Sequence, residues 1–104
     1  MGTFDDRERS FENRFAKDAE MQFKADARRN RLLGLWAAER MGLEGEAAAD
    51  YAREVVKSDF QEAGEEDVYR KVAGDLGDRA DEGEIRAKMA ELMTEAKAQL
   101  MDGR

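Results

Sequence analysis

The sequence predicts an all-α protein, a four-helix bundle with a mobile N-terminal arm. Three observations carry this. Apolar residues recur at helical spacing from about residue 20 to 101, and no stretch alternates as a strand would. The 104-residue chain contains no proline, the residue that most effectively interrupts helix interiors. Glycines at Gly42 with Gly45, at Gly64 and at Gly77 cut the pattern, and a glycine just past a helix accepts the left-handed C-cap conformation.

The bundle is expected over residues 20–104, with helices at about 20–41, 46–61, 66–76 and 82–101. The first aligns Met21, Ala25, Leu32, Leu35 and Trp36, with Leu33 widening the stripe. The second aligns Ala48, Ala52, Val55 and Val56, with Tyr51 and Phe60 beside them. The third is short and carries Val68, Tyr69, Val72 and Leu76. The fourth opens on Asp81 followed by Glu84, an aspartate form of the capping box. Ile85, Met89, Leu92, Ala96 and Leu100 then form one face, which Met93 and Met101 widen. Four such stripes joined by short connections can be buried only against one another.

Residues 1–19 form a separate arm. The segment "FDDRERSFENRFAKDAE" (4–20) is rich in charge yet holds Phe4, Phe11 and Phe15, three of the five phenylalanines. As a helix, these rings would lie within about 40° of one another and roughly 70° around from the Leu32/Trp36 direction. They do not extend the core face. Either they fold back on the bundle, or the arm is frayed alone and ordered in a partner's groove with the rings as anchors. An isolated helix of this length is marginal in water.

Charge and composition exclude several functions. The net charge is −7. Residues 1–42 hold nine basic against eight acidic residues, and residues 43–104 nine against seventeen, an acidity that disfavours binding to nucleic acid or anionic membranes. There is no histidine or cysteine, which removes the imidazole- and thiol-based catalytic arrangements and the usual zinc ligands. No enzyme and no metal site is expected. "EAGEED" (62–67) lacks the register of a calcium loop, and Gly42 to Gly45 lacks the Lys-Ser/Thr of a phosphate loop. No apolar run approaches the length of a membrane span, and no leader opens the chain.

One stretch is basic. Lys24, Arg28, Arg29 and Arg31 fall within eight positions. Their stems can cover apolar surface while their heads reach water or the acidic later helices. Alternatively, Arg28, Arg29 and Arg31 with Trp36 form an anion or nucleotide site, or touch a partner directly.

The arm, "FKADARRNRLLGLWAAERMG" (23–42), "YAREVVKSDF", "EAGEEDVYRKV" and "IRAKMAEL" together resemble the zeta subunit of alpha-proteobacterial F-type ATP synthases over nearly the whole chain. The run from Arg28 to Ala38 is the most specific part. The resemblance implies a noncatalytic inhibitor of ATP hydrolysis. Its arm would enter, as a helix, an interface between alpha and beta subunits near the gamma shaft, blocking hydrolytic rotation and permitting synthesis. The inhibitory motif falls on Phe4, Asp5, Asp6, Arg7, Glu8, Arg9, Phe11, Glu12, Phe15, Ala16 and Asp18, with Arg14 a further charge partner beside Arg7 and Arg9. The resemblance also implies weak ADP or ATP binding on the bundle, with no cofactor required. It further implies a free monomer in the cytoplasm that is peripheral to the inner membrane only through the ATP synthase. Lys17 stands where the family's pattern often has histidine, so no imidazole can switch this arm near neutral pH. The rival expectation is an adenine-nucleotide-sensing helical module that regulates a different partner.

Overall fold

A computed structural model of the protein describes residues 19–59 and 65–102. The arm motif and Phe60 lie outside the described residues, apart from Ala19 at the arm's end. Among the described residues, four α-helices follow one another: α1 Ala19–Arg40, α2 Gly45–Ser58, α3 Glu66–Leu76 and α4 Glu82–Met101, with a 3-10 turn at Gly77–Arg79 before α4. The chain is an all-α four-helix bundle.

Helix α1 is the central element and packs most extensively against α2 and α4, which scarcely meet each other; α3 touches all three. Its buried line is Ala25, Leu33, Ala37 and Ala38, while Leu32, Leu35 and Trp36 are only half-buried. The stripe expected from the sequence is thus rotated toward Leu33. With α2 on one flank and α4 on the other, the line between them is the most deeply covered, and small residues there let the helices approach. A Cβ on Gly34 would stand 2.6 Å from the Ala52 Cα of α2, so only glycine fits this crossing.

The end of α1 is fixed by local geometry. Gly42 adopts φ 78°, its amide donates to the Glu39 carbonyl (3.1 Å), and the Leu43 amide donates to the Ala38 carbonyl (2.8 Å). These two bonds make a Schellman motif, and Leu43 then packs against the core. Helix α4 starts where Asp81 Oδ1 accepts from the Glu84 amide at 2.8 Å. Glu84 does not complete a reciprocal box; its carboxylate pairs instead with Arg40 at the end of α1. The core joins Leu33 to Val55, Val68, Val72, Leu76, Ile85 and Met89, all essentially without solvent contact.

Polar contacts tie α3 to its neighbours. The Tyr51 hydroxyl of α2 donates to Asp75 Oδ2 at 2.8 Å. Lys71 bridges Asp75 (3.0 Å) and Glu54 (3.2 Å) and lies over the Tyr51 ring, 5.2 Å from its centroid. Arg86 of α4 stacks 3.8 Å above the Tyr69 ring and pairs with Glu66 at 2.9 Å.

Candidate functional site: a basic groove beside the first helix

Because α2 and α4 diverge on one side of α1, they leave a groove of about 410 Å³. Phe23 and Ala27 of α1, Val56 of α2 and Leu100 of α4 supply its apolar surface; Lys24, Arg28 and Arg31 supply a basic lip along α1. Helical spacing explains the lip. Positions 24, 28 and 31 are four and three apart and share one face, while 23 and 27 lie beside them, toward the floor. Phe23 is 56% exposed. Lys24 pairs with Glu20 one turn earlier (3.3 Å); Arg31 is exposed and makes no ion pair among the described residues. A smaller depression of about 110 Å³ continues the groove along the α1–α2 seam, sharing Arg31 and Val56 and reaching Leu35, Ala49, Ala52 and Arg53.

The four residues singled out from the sequence are divided by the fold. Arg28 and Arg31 face the groove together. Arg29, one position on from Arg28, turns about 100° away and is 2% exposed. Its Nε donates to Asn30 Oδ1 (2.5 Å) and its Nη1 pairs with Glu65 Oε2 (3.2 Å), pinning α1 to the start of α3. For Arg29, the reading in which its head reaches the acidic later helices describes the geometry. Trp36 lies outside the groove lining. It is half-buried against the core, with the Arg40 guanidinium 5.1 Å and the Lys88 ammonium 5.9 Å from its ring centroid.

Behind the groove, α1 and the end of α2 meet in a polar cluster. Burial pushes the Asp59 carboxyl above the ordinary aspartate value; the neighbouring Asn30 side chain opposes this, Asp26 adds to it, Arg29 opposes it and Asp67 adds to it. Burial also raises the Tyr51 phenol, reinforced by the hydrogen bond to Asp75 and the charges of Asp75 and Glu54. Lys71 is held above its usual value: burial pulls it down, but the bonds to Asp75 and Glu54 outweigh that.

The sequence reading did not find Phe23, Val56 or Leu100 as site residues. Leu100 belongs to a helix almost seventy positions from Arg31, and only the packing of α4 beside α1 brings it there. Lys24 carried a local signal, its spacing of four from Arg28. Among the described residues, no group of three acidic side chains gathers where it could hold a metal ion, and no helix is long and apolar enough to cross a membrane.

The fold and its site define a small all-α bundle protein that carries an apolar groove with a cationic lip on an otherwise acidic chain. The particular family follows from comparison. The chain matches the family described as ATPase inhibitor subunit zeta over residues 1–99 and belongs to it. At that level it is an ATPase-inhibitor subunit of the ATP synthase. A protein whose structure was determined by solution NMR is similar, with 62% identity and a TM-score of 0.76, covering 81% of this chain and 99% of that one. No relative matches among curated proteins.

Proposed function

We propose that this chain is a noncatalytic regulatory subunit that inhibits ATP hydrolysis by the catalytic head of the F-type ATP synthase. The bundle docks on the head, and residues 1–19 enter an interface between alpha and beta subunits, near gamma, as a helix. Phe4, Phe11 and Phe15 act there as anchors, and Arg7, Arg9 and Arg14 as charge partners. The block is steric: a helix wedged into a closing interface stops the rotation that hydrolysis needs. The observation that carries this reading is the extent of the family match, which begins at residue 1 and runs through arm and bundle alike. In this reading the protein acts as a cytoplasmic monomer until it joins the membrane-bound enzyme through the head.

The test is ATP hydrolysis by the purified cognate head, titrated with the full chain and with a chain lacking residues 1–18. Inhibition by the first and not by the second supports both the activity and the arm's role. Equal inhibition by both would move the activity to the bundle, and none by either would remove it.

One observation favours a second reading, an adenine-nucleotide-sensing module. Arg28 and Arg31 converge on an apolar groove, an arrangement suited to a base against Phe23 and phosphates against the guanidinium groups. Saturable ADP binding, with no effect on the head, would select it.

A further inference from the structure

We propose that Asp59, at the end of α2, and Asp67, in the first turn of α3, share one proton and so form a pH-sensitive latch that ties both helices to Asn30 of α1. A pair of buried polar atoms carries this, one a donor and one an acceptor, on two neighbours of Asp59.

Asn30 is fully buried, and its Nδ2 has no hydrogen-bond partner among the described residues. Its amide cannot turn over to change this, because Oδ1 already accepts from Arg29 Nε at 2.5 Å. Asp67 is divided in the same way. Its Oδ1 pairs with Arg70 at 3.0 Å, while its buried Oδ2 is unpartnered among the described residues. Both residues act on the half-buried Asp59 carboxyl, one from α1 and the other from α3. Each buried, unpaired atom carries a desolvation cost until something pairs it.

The protonation state of Asp59 decides whether both atoms are satisfied. An ionised carboxylate only accepts. It can take the Asn30 amide, but it meets Asp67 as one negative group against another. A neutral carboxyl offers both roles: its carbonyl oxygen accepts from Asn30 Nδ2, and its O–H donates to Asp67 Oδ2. The proton then completes a chain from α1 through the end of α2 to α3.

The surrounding charges favour keeping that proton. From α1 come Arg29 and Asp26, the latter accepting from Gln22 at 2.9 Å; from α3 come Asp67 and Glu65. Arg29 is the cation acting on Asp59, and its guanidinium is already engaged by Asn30 and Glu65. On α4, Met93 borders Arg29 and Glu65, and Arg86 is committed to Glu66 at 2.9 Å. The raised Asp59 carboxyl agrees with this balance, burial being its largest cause.

The latch closes in acid and opens as pH rises through the native Asp59 value. Opening sets two carboxylates against each other where α3, 11 residues long, begins. The first turns of α3 then loosen while α4 does not. This device goes beyond the inhibitory role and needs no ATP synthase, so its failure leaves that role standing.

The test is a side-chain carboxyl titration of the full chain, labelled with 13C-aspartate and followed by NMR. Asp59 should titrate above the ordinary value of about 3.9, with an inflection at the same pH in Asp67 and in the Asn30 side-chain amide. Hydrogen-exchange protection of Tyr69 to Val72, relative to Ile85 to Met89, should fall at least threefold through that step. In Asp59→Asn, whose amide both donates and accepts, α3 protection should stay level. Asp67→Asn and Asp67→Ala both remove the charge, but only Asn keeps the acceptor. Alanine should therefore lower the proton affinity of Asp59 at least threefold more than asparagine does, with Ile85 and Met89 resonances unshifted as the check on folding. Equal effects of the two substitutions would overturn the shared proton. So would an Asp59 step at the ordinary value, or contact of the Asn30 amide with a bound water in place of Asp59.

Discussion

Gly34 of α1 and Ala52 of α2 cross so closely that a Cβ on Gly34 would lie 2.6 Å from the Ala52 Cα and 3.2 Å from Val55 Cγ2. Alanine is the better helix former by about 1 kcal/mol. At this crossing, however, the obstacle is backbone, which cannot rotate away. Gly34→Ala should therefore destabilise the bundle by about 1–3 kcal/mol, the range for overpacking a filled core. Gly74 on α3 supplies the control, because a Cβ there meets nothing within 4 Å. Gly74→Ala should stabilise by about 0.5–1 kcal/mol. Urea denaturation of the two variants checks both signs, and stabilisation by Gly34→Ala would remove the close crossing.

The Tyr51 hydroxyl bond to Asp75 gives a second prediction. Tyr51→Phe removes the donor but leaves Asp75 paired with Lys71, so the cost at neutral pH should be about 1 kcal/mol. The phenol is raised above its unfolded value, so its contribution is complete below the ordinary tyrosine value of about 10. Above that pH the unfolded phenol loses its proton while the native one keeps it, and stability falls. The alkaline decline in the urea midpoint should be shallower in Tyr51→Phe than in the parent chain. Parallel declines would place the hydroxyl in water.

How much of this was legible beforehand depended on how local each cause was. Asp81 as a cap and Gly42 as a stop depend on residues within one turn, and both roles were readable from the chain. The buried line of α1 was not, because Leu33 outranks Leu32 and Leu35 only once α2 and α4 have taken opposite flanks. Arg28 and Arg29 make the same point more sharply. Both border the apolar stripe on a helical wheel, yet one faces the groove and the other is buried against Glu65, 36 positions away. Charge and spacing are identical for the two; the location of α3 decides between them.

Asp59 closes α2 as an acidic residue at the negative end of a helix dipole. Burial is the largest influence raising its carboxyl, with Asp26 and Asp67 adding to it and Asn30 and Arg29 opposing. A carboxyl raised in the native state favours folding most at pH below its unfolded value, and loses that contribution as pH climbs through the native value. At pH 7 the ionised group is thus a net cost. Asp59→Asn should raise the thermal midpoint at pH 7, with the advantage shrinking as pH falls through the raised native value and gone below the ordinary aspartate value of about 3.9. A lower midpoint at pH 7 would mean that attraction to Arg29 outweighs burial.

The phenylalanines of the arm separate the proposed activity from the fold. Phe4, Phe11 and Phe15 lie outside the described residues, whose core encloses Leu33, Leu76, Ile85 and Met89. Replacing Phe11 and Phe15 together by alanine should leave the thermal midpoint nearly unchanged. It should also abolish inhibition of hydrolysis, since each ring buried in a partner is worth roughly 2 kcal/mol or more. Two such losses correspond to about a thousandfold in affinity. A large fall in thermal midpoint would instead show the rings to be part of the bundle's own packing, and undiminished inhibition would move the anchoring to Arg7, Arg9 and Arg14.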